Sequence, residues 1–297
     1  MVREIFEIYE RNFPFSKREG EIVLHILNHE SNIVFEKRDN RNQLIGVSVV
    51  NRNTVLLLCV DEEYRNQGIG TELLAASEKE VKKNGYDKIV VGNGFDYIMP
   101  GVPTAKRYFD AENEELFEGV EETASDFFES RGYRHAWECN CFDMSLSLEQ
   151  FEKNTDGLST GGTISYRWGT RDDRMETGRC VESAWREFAP FYEFDGLYDE
   201  EGNPRVLAAV TDSGEVAGAV IVKGGPDGVG SLGCLVVSPA FRGRHIAVNL
   251  VLAATERLKN AGMNQVYLGF TYTGLDHMYG YAGYKICVYY MMAEKKL

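Results

Sequence analysis

The chain repeats itself, and that constrains its fold more than any other feature. When residue n is set against residue n + 177, about forty positions align without a gap. Val60 falls on Val237, Tyr64 on Phe241, Arg65 on Arg242, Ile69 on Ile246, Gly70 on Ala247, Leu73 on Leu250 and Gly92 on Gly269. A unit used twice in 297 residues implies two domains of one architecture. The turn-rich stretch Lys153–Gly162 is the natural connector. The expected domains are 1–150 and 160–297.

Both copies share one grammar. An apolar run (Val55–Val60; Leu232–Val237) reads as a buried strand. A short polar turn follows, then an amphipathic helix with Ile69, Leu73, Ala76 and Val81 on one side in the first copy. Gly85 ends that helix as a C-cap, and Lys88–Gly92 begins another strand. Ahead of this unit each copy places a helix, near 3–12 and 172–189, and an antiparallel strand pair. The pairs are Ile33–Lys37 with Leu44–Val50, and Val206–Thr211 with Val216–Val222. Late in each copy a helix runs into Gly-aromatic, at Gly132-Tyr133 and Gly283-Tyr284. The offset there is 151, so the first copy carries 26 extra residues before its last helix. The expected class is mixed α/β, with a central twisted mixed sheet flanked by helices in each domain.

Composition excludes several roles. A net charge of −14 argues against a general nucleic-acid binder, which needs a basic face. No apolar run reaches the roughly 18 residues of a membrane helix. Met1–Glu7 carries acids where a signal peptide would be apolar. Six scattered cysteines make no disulfide framework, so reduced thiols and a cytoplasmic setting are expected. Of the 46 acids, 28 lie in residues 1–150.

The turn between strand and helix carries the chemistry. In the first copy it reads Arg65-Asn66-Gln67-Gly68-Ile69-Gly70-Thr71. Small residues let a ligand approach the backbone, and N–H groups at a helix start favour an anion such as pyrophosphate. The alternative is a tight turn that merely needs glycine. The third glycine and distant acid of a dinucleotide site are missing, as is the Gly-Lys-Ser/Thr of a P-loop.

Arg65-x-x-Gly68-x-Gly70, after an apolar strand and an aromatic-Arg pair, resembles the acetyl-CoA signature of the GNAT superfamily of N-acyltransferases. Gly-Tyr after the last helix is its usual companion. The resemblance spans nearly the whole chain as two tandem GNAT-like domains. It implies that Arg65, Asn66, Gln67, Gly68, Ile69, Gly70 and Thr71 hold the CoA pyrophosphate. It also implies that Cys59 and Val60, on a strand splayed from its neighbour, bond the pantetheine arm. The second copy departs from the pattern, with His245 where the first glycine belongs, and a weakened or lost CoA site is expected there. The tyrosine that protonates the departing thiolate in many relatives corresponds to Tyr279 in the second copy and Phe128 in the first. A phenol suits that role and a phenyl ring does not. Tyr279 is thus the catalytic candidate only if the C-terminal half is active. Tyr97, Tyr108 and Tyr133 are possible substitutes in the first half.

The segment Tyr97–Pro103, with Pro-Gly-Val-Pro, resembles part of GNAT domains associated with bacterial β-N-acetylglucosaminidases, and Cys141–Leu146 adds a second similarity. From Asp110 to Glu129 there are nine acids and no Lys or Arg, which reads either as a funnel for a cationic amine or as a solvated face. His25 and His29 are four apart but lack a third ligand, so no metal is expected. The resemblance thus implies an acetyl-CoA-dependent N-acetyltransferase acting on the amine of a small or aminosugar-like acceptor by direct attack. The alternative is a non-catalytic acyl-CoA sensor or pseudoenzyme. Acetyl-CoA and a small-molecule amine are the expected partners, without nucleic acid or membrane.

Overall fold

The computed structural model describes residues 1–16, 18–92, 97–109, 117–118, 124–193, 195–198 and 205–297. The chain forms two compact units. The first is built from residues 1–143, 269–273 and 286–297, and the second from residues 144–268 and 274–285.

The first unit opens with α1 (Val2–Asn12) and α2 (Gly20–Leu27), followed by β1 (Ile33–Arg38), β2 (Leu44–Asn51) and β3 (Thr54–Val60). Then come α3 (Ile69–Lys83), β4 (Lys88–Val91), β5 (Val102–Thr104), α4 (Ala124–Glu129), β6 (Arg134–His135) and β7 (Cys141–Ser147), within which the unit boundary falls. β1, β2 and β3 form an antiparallel meander, and β3 is parallel to β4, as a β-α-β crossover requires. α1 and α2 bury Ile5, Ile8, Val23 and Leu27 with Leu56, Cys59 and Met99. α3 sets Leu74 and Val81 into a second cluster with Val55, Ile89 and Phe128. Asn84 caps α3, and Gly85 supplies the left-handed residue after it, with φ 86°.

The last strands of the chain complete this first unit. β13 (Lys285–Met291) pairs with β5, and β14 (Ala293–Lys296) lies between β4 and β6. Hence the sheet order is β1-β2-β3-β4-β14-β6. Gly101 serves this arrangement, because a Cβ there would stand 2.5 Å from the Met291 carbonyl oxygen. The units are therefore not two consecutive halves of the chain. The sequence announces strands at 285–296, but local pattern does not say which sheet receives them.

The second unit contains β8 (Ile164–Trp168), α5 (Arg174–Ala184), α6 (Ala189–Tyr192), β9 (Val206–Thr211), β10 (Val216–Gly224), β11 (Val229–Val237), α7 (Ile246–Asn260), β12 (Gln265–Tyr272) and α8 (Asp276–Tyr281). β12 joins the sheet through its first residues, and the order there is β12-β11-β10-β9-β8. The helix expected near 172–189 ends at Ala184, and Arg186–Phe188 tightens into a single 3₁₀ turn before α6. Among the described residues no helix is long and apolar enough to cross a membrane.

Candidate functional site

The site grows from the open edge of β3. The β3–β4 ladder joins only Thr54 to Val90 and Val55 to Val91, and β4 then ends. On its other side β3 stays paired with β2 up to Val60, opposite Gly46. The Asp61 N–H donates to the Ile45 carbonyl, so strand alternation turns the backbone groups of Val60 and Leu58 toward the edge that β4 has left. The Cys59 side chain faces the other way, into the core with α1 and α2, and burial pushes its thiol pKa up.

Beyond Val60 a 3₁₀ turn (Glu62–Tyr64) and the extended Arg65 lead into the loop. Asn66 at φ 62° and Gly68 at φ 86° adopt left-handed conformations, and Gly68 is the N-cap of α3. A Cβ on Gly68 would meet nothing within 4 Å, so glycine is demanded by the backbone angle and not by lack of room. The first bond into the helix runs from Glu72 N–H to the Gly68 carbonyl. No backbone carbonyl of the described residues accepts from the N–H groups of Asn66 through Thr71. Unpaired amides at a helix start, with the helix dipole behind them, form an anion-receiving surface.

Side chains brace this turn. Arg65 donates from Nε to the Val60 carbonyl, 3.0 Å, and from Nη2 to Asn12 Oδ1, 2.8 Å. Asn12 in turn donates to Asp61 Oδ1, 2.9 Å, so the end of α1, the end of β3 and the turn share one network. Arg65 is thus a brace for the loop and not a free cation. Arg131, just past α4, donates from Nη2 to Thr71 Oγ1, 2.7 Å, with its guanidinium 3.8 Å from the Phe127 ring centre. It brings a positive charge to the first turn of α3. Sequence reasoning missed both Arg131 and Asn12, since each lies more than fifty residues from its partner in the turn.

The aromatic residues considered as proton donors are otherwise engaged. Phe128 is 5% exposed and packs in the core against Tyr133, not at the loop. Tyr133 donates to Glu78 Oε1, 3.0 Å, and Tyr108 to Glu129 Oε1, 2.7 Å, and burial together with the neighbouring carboxylate raises both phenol pKa values. Tyr97 is half-buried, its pKa raised by desolvation, with the Arg18 guanidinium 4.0 Å from its ring centre. A raised pKa makes each phenol a poorer acid. Of the nine acids between 110 and 129, Asp110, Glu112, Glu114, Glu115, Glu121 and Glu122 lie outside the described residues. Asp126 and Glu129 both pair with Lys106, which holds the Glu129 carboxyl below its usual range.

The second unit repeats the scaffold with different chemistry. β11 and β12 pair only at Val229–Gln265 and Gly230–Val266, so the same edge opens. Gly243 (φ 73°) stands for Asn66 and His245 (φ 53°) for Gly68, and His245 is the N-cap of α7. The ring Nδ1–H of His245 donates to the Ser159 carbonyl, 3.1 Å, and Asn249 donates to the Leu158 carbonyl, 3.1 Å. Further along α7, Lys259 holds the Phe151 carbonyl and Lys153 pairs with Glu256. The connector is therefore tied along α7 as far as its N-cap. The Thr71–Arg131 pair has no counterpart, for Val248 and Ala282 stand at the matching positions. Tyr279 is 8% exposed, its ring 5.8 Å from that of Tyr284. Among the described residues no cluster of three or more His, Cys, Asp or Glu could hold a metal ion.

Comparison with known proteins follows the same two-part outline. The sequence matches the acetyltransferase (GNAT) family over residues 2–95 and 171–283, well over half of the chain. No curated protein matches it. Among solved structures, a GCN5-related N-acetyltransferase from Sphaerobacter thermophilus is 20% identical with a TM-score of 0.69, over 99% of this chain and 91% of the other. A tandem GNAT protein from the clavulanic acid biosynthesis pathway is 15% identical with a TM-score of 0.68, over 99% of this chain and 94% of the other. A GCN5-related glucosamine N-acetyltransferase region of a fungal multi-domain β-N-acetylglucosaminidase is 18% identical with a TM-score of 0.72. It is matched over 99% of this chain, which spans only 37% of that longer one. At these identities the structures share the tandem fold.

Proposed function

The chain belongs to the acetyltransferase (GNAT) family, and from that premise we propose that it is an acetyl-CoA-dependent N-acetyltransferase whose first unit binds the donor. The observation that carries this reading is the turn Asn66–Thr71, with its run of unpaired amides beside an open strand edge and Arg131 at its first helical turn. The amides and the α3 dipole receive the diphosphate, and Arg131 adds charge to the same place. The free edge of β3 accepts the pantetheine arm, with the Val60 N–H aimed at the thioester oxygen, where a fixed donor stabilises developing negative charge. Acetyl-CoA supplies an activated acyl carbon; the acceptor amine, having given up any extra proton to solvent, attacks it as the neutral base. The C–N bond forms, the C–S bond breaks with CoA leaving as the thiolate, and the remaining amine proton passes through solvent to that thiolate.

Cys59 takes no covalent part, being buried with its pKa raised. The chain holds the reactants together and lets proximity supply much of the rate. The acceptor is a small amine, and the acid-rich stretch 110–129 favours a cationic one. Glucosamine belongs on the test panel because the fungal structure of like fold is described by that activity. A cytoplasmic setting suits six cysteines of which none forms a disulfide among the described residues.

The second reading, a non-catalytic acyl-CoA sensor, is favoured by one observation: Phe128, at the position of the usual phenol, is sealed in the core. Thiol release from acetyl-CoA, measured across a panel of amines including glucosamine, separates the two. Amine-dependent release supports the enzyme, and tight binding without release from any amine supports the sensor.

A further inference from the structure

At the opposite end of β3 from the turn there is a concavity that acyl transfer does not use. It lies between the end of α2 and the β2–β3 hairpin, and Thr54 and Leu56 of β3 form part of its wall. Thr54 and Val60 are the two ends of the strand, about 20 Å apart at a rise of ~3.3 Å per residue. Its volume of 440 Å³ falls inside the range of about 300–1,000 Å³ common for small-molecule sites.

The lining is unusual for this chain. His25, His29, Asn32, Asn51, Arg52 and Asn53 contribute to it, and among the described residues no Asp or Glu does. In a sequence of net charge −14 with most of its acids in the first 150 residues, a carboxylate-free hollow carrying a guanidinium and two imidazoles stands apart. Part of the rim is fixed in advance. Asn51 Nδ2 donates to Asn32 Oδ1, 2.8 Å, while Asn32 Nδ2 holds the Ile26 carbonyl, 2.7 Å. The Ser31 N–H donates to His29 Nδ1, 3.2 Å, which leaves the other ring nitrogen of His29 as the N–H donor. Among the described residues nothing pairs with the Arg52 guanidinium or the His25 ring.

The hairpin itself points the same way. Arg52 is the first of two turn residues and sits at φ 54°, where glycine or asparagine would be at ease. A long cationic side chain is thus held at a strained position on the rim of a hollow already lined with donors.

We propose that this hollow is a second ligand site, for a small oxyanion, a phosphate or a carboxylate group, gripped by Arg52, His25 and His29. The inference stands apart from the acyl-transfer reading, since none of these residues belongs to the turn or to the open edge of β3. The test is titration of the full chain with inorganic phosphate, citrate and glucose, at fixed pH and matched ionic strength, followed by the imidazole NMR signals of His25 and His29. The Gly68→Glu variant is titrated in parallel, so that an anion settling in the acyl-donor turn is told apart. Saturable shifts with phosphate or citrate in both proteins are expected, with no saturation by glucose, and the preferred anion identifies the source. Arg52→Gly relieves the turn and therefore keeps the fold, with a melting temperature no lower than that of the parent. It should weaken the anion by at least about tenfold. No saturable shift with either anion, equal response to glucose, or undiminished binding in Arg52→Gly would overturn the proposal.

Discussion

The two turns of this chain have one backbone and two chemistries. Each follows a strand whose parallel ladder breaks after two residue pairs, and each begins a 15-residue helix at a left-handed N-cap. In each, the amides of the loop lack backbone acceptors among the described residues. The difference lies in side chains. The first turn has an N-cap without a side chain and the Thr71–Arg131 pair at its mouth. The second has an imidazole at the N-cap, bonded to Ser159 of the connector, and Val248 and Ala282 where the first has Thr71 and Arg131. A scaffold that offers amides is therefore not yet a diphosphate site. It must also keep its entrance clear and place a cation beside it.

The strongest way to break this comparison is to give the first turn the burden of the second. Gly68→Glu adds a Cβ at φ 86° and an anion facing an anion. The left-handed angle alone costs about 1–2 kcal/mol, and with the charge we expect acetyl-CoA affinity to fall by more than about a hundredfold. Calorimetry reads this directly, and circular dichroism checks that the fold survives. Arg131→Ala removes the cation while leaving the amides. Losing a charge-assisted contact should weaken acetyl-CoA by about tenfold, more at low salt than at high; an unchanged dissociation constant would detach Arg131 from the site.

Smaller effects sharpen the contrast. His245→Gly removes the imidazole but restores neither the cation nor the threonine, so binding should stay at one acetyl-CoA per chain. A rise to two would show that the ring alone closes the second turn. Cys59→Ala should leave amine-dependent thiol release within about threefold, because a buried thiol with a raised pKa is a poor nucleophile. Accumulation of an acyl-enzyme in the parent, detected by mass spectrometry, would contradict that. The smallest change is expected of Tyr279→Phe, which keeps the ring 5.8 Å from that of Tyr284 in a unit that does not bind the donor, with turnover within about twofold.

Much of this comparison was legible in the sequence, because the repeat aligns the two turns residue by residue. The strands, the left-handed glycine at Gly85 that ends α3 and the His245 departure all follow from local pattern and left-handed backbone need. What pattern does not carry is distance. Arg131 reaches Thr71 across sixty residues, and Asn12 reaches Arg65 across more than fifty, with no periodicity to announce either. The same limit hid the return of β14 to lie between β4 and β6, and the engagement of Ser159 by His245. A sequence shows which residues favour a turn; packing decides which side chains meet there.

The most direct measurement is the stoichiometry of acetyl-CoA binding by calorimetry on the full chain and on its Gly68→Glu variant. The first turn acting alone predicts one molecule per chain, and none in the variant. Two per chain, or one per chain retained in Gly68→Glu, would place the donor elsewhere and contradict the account.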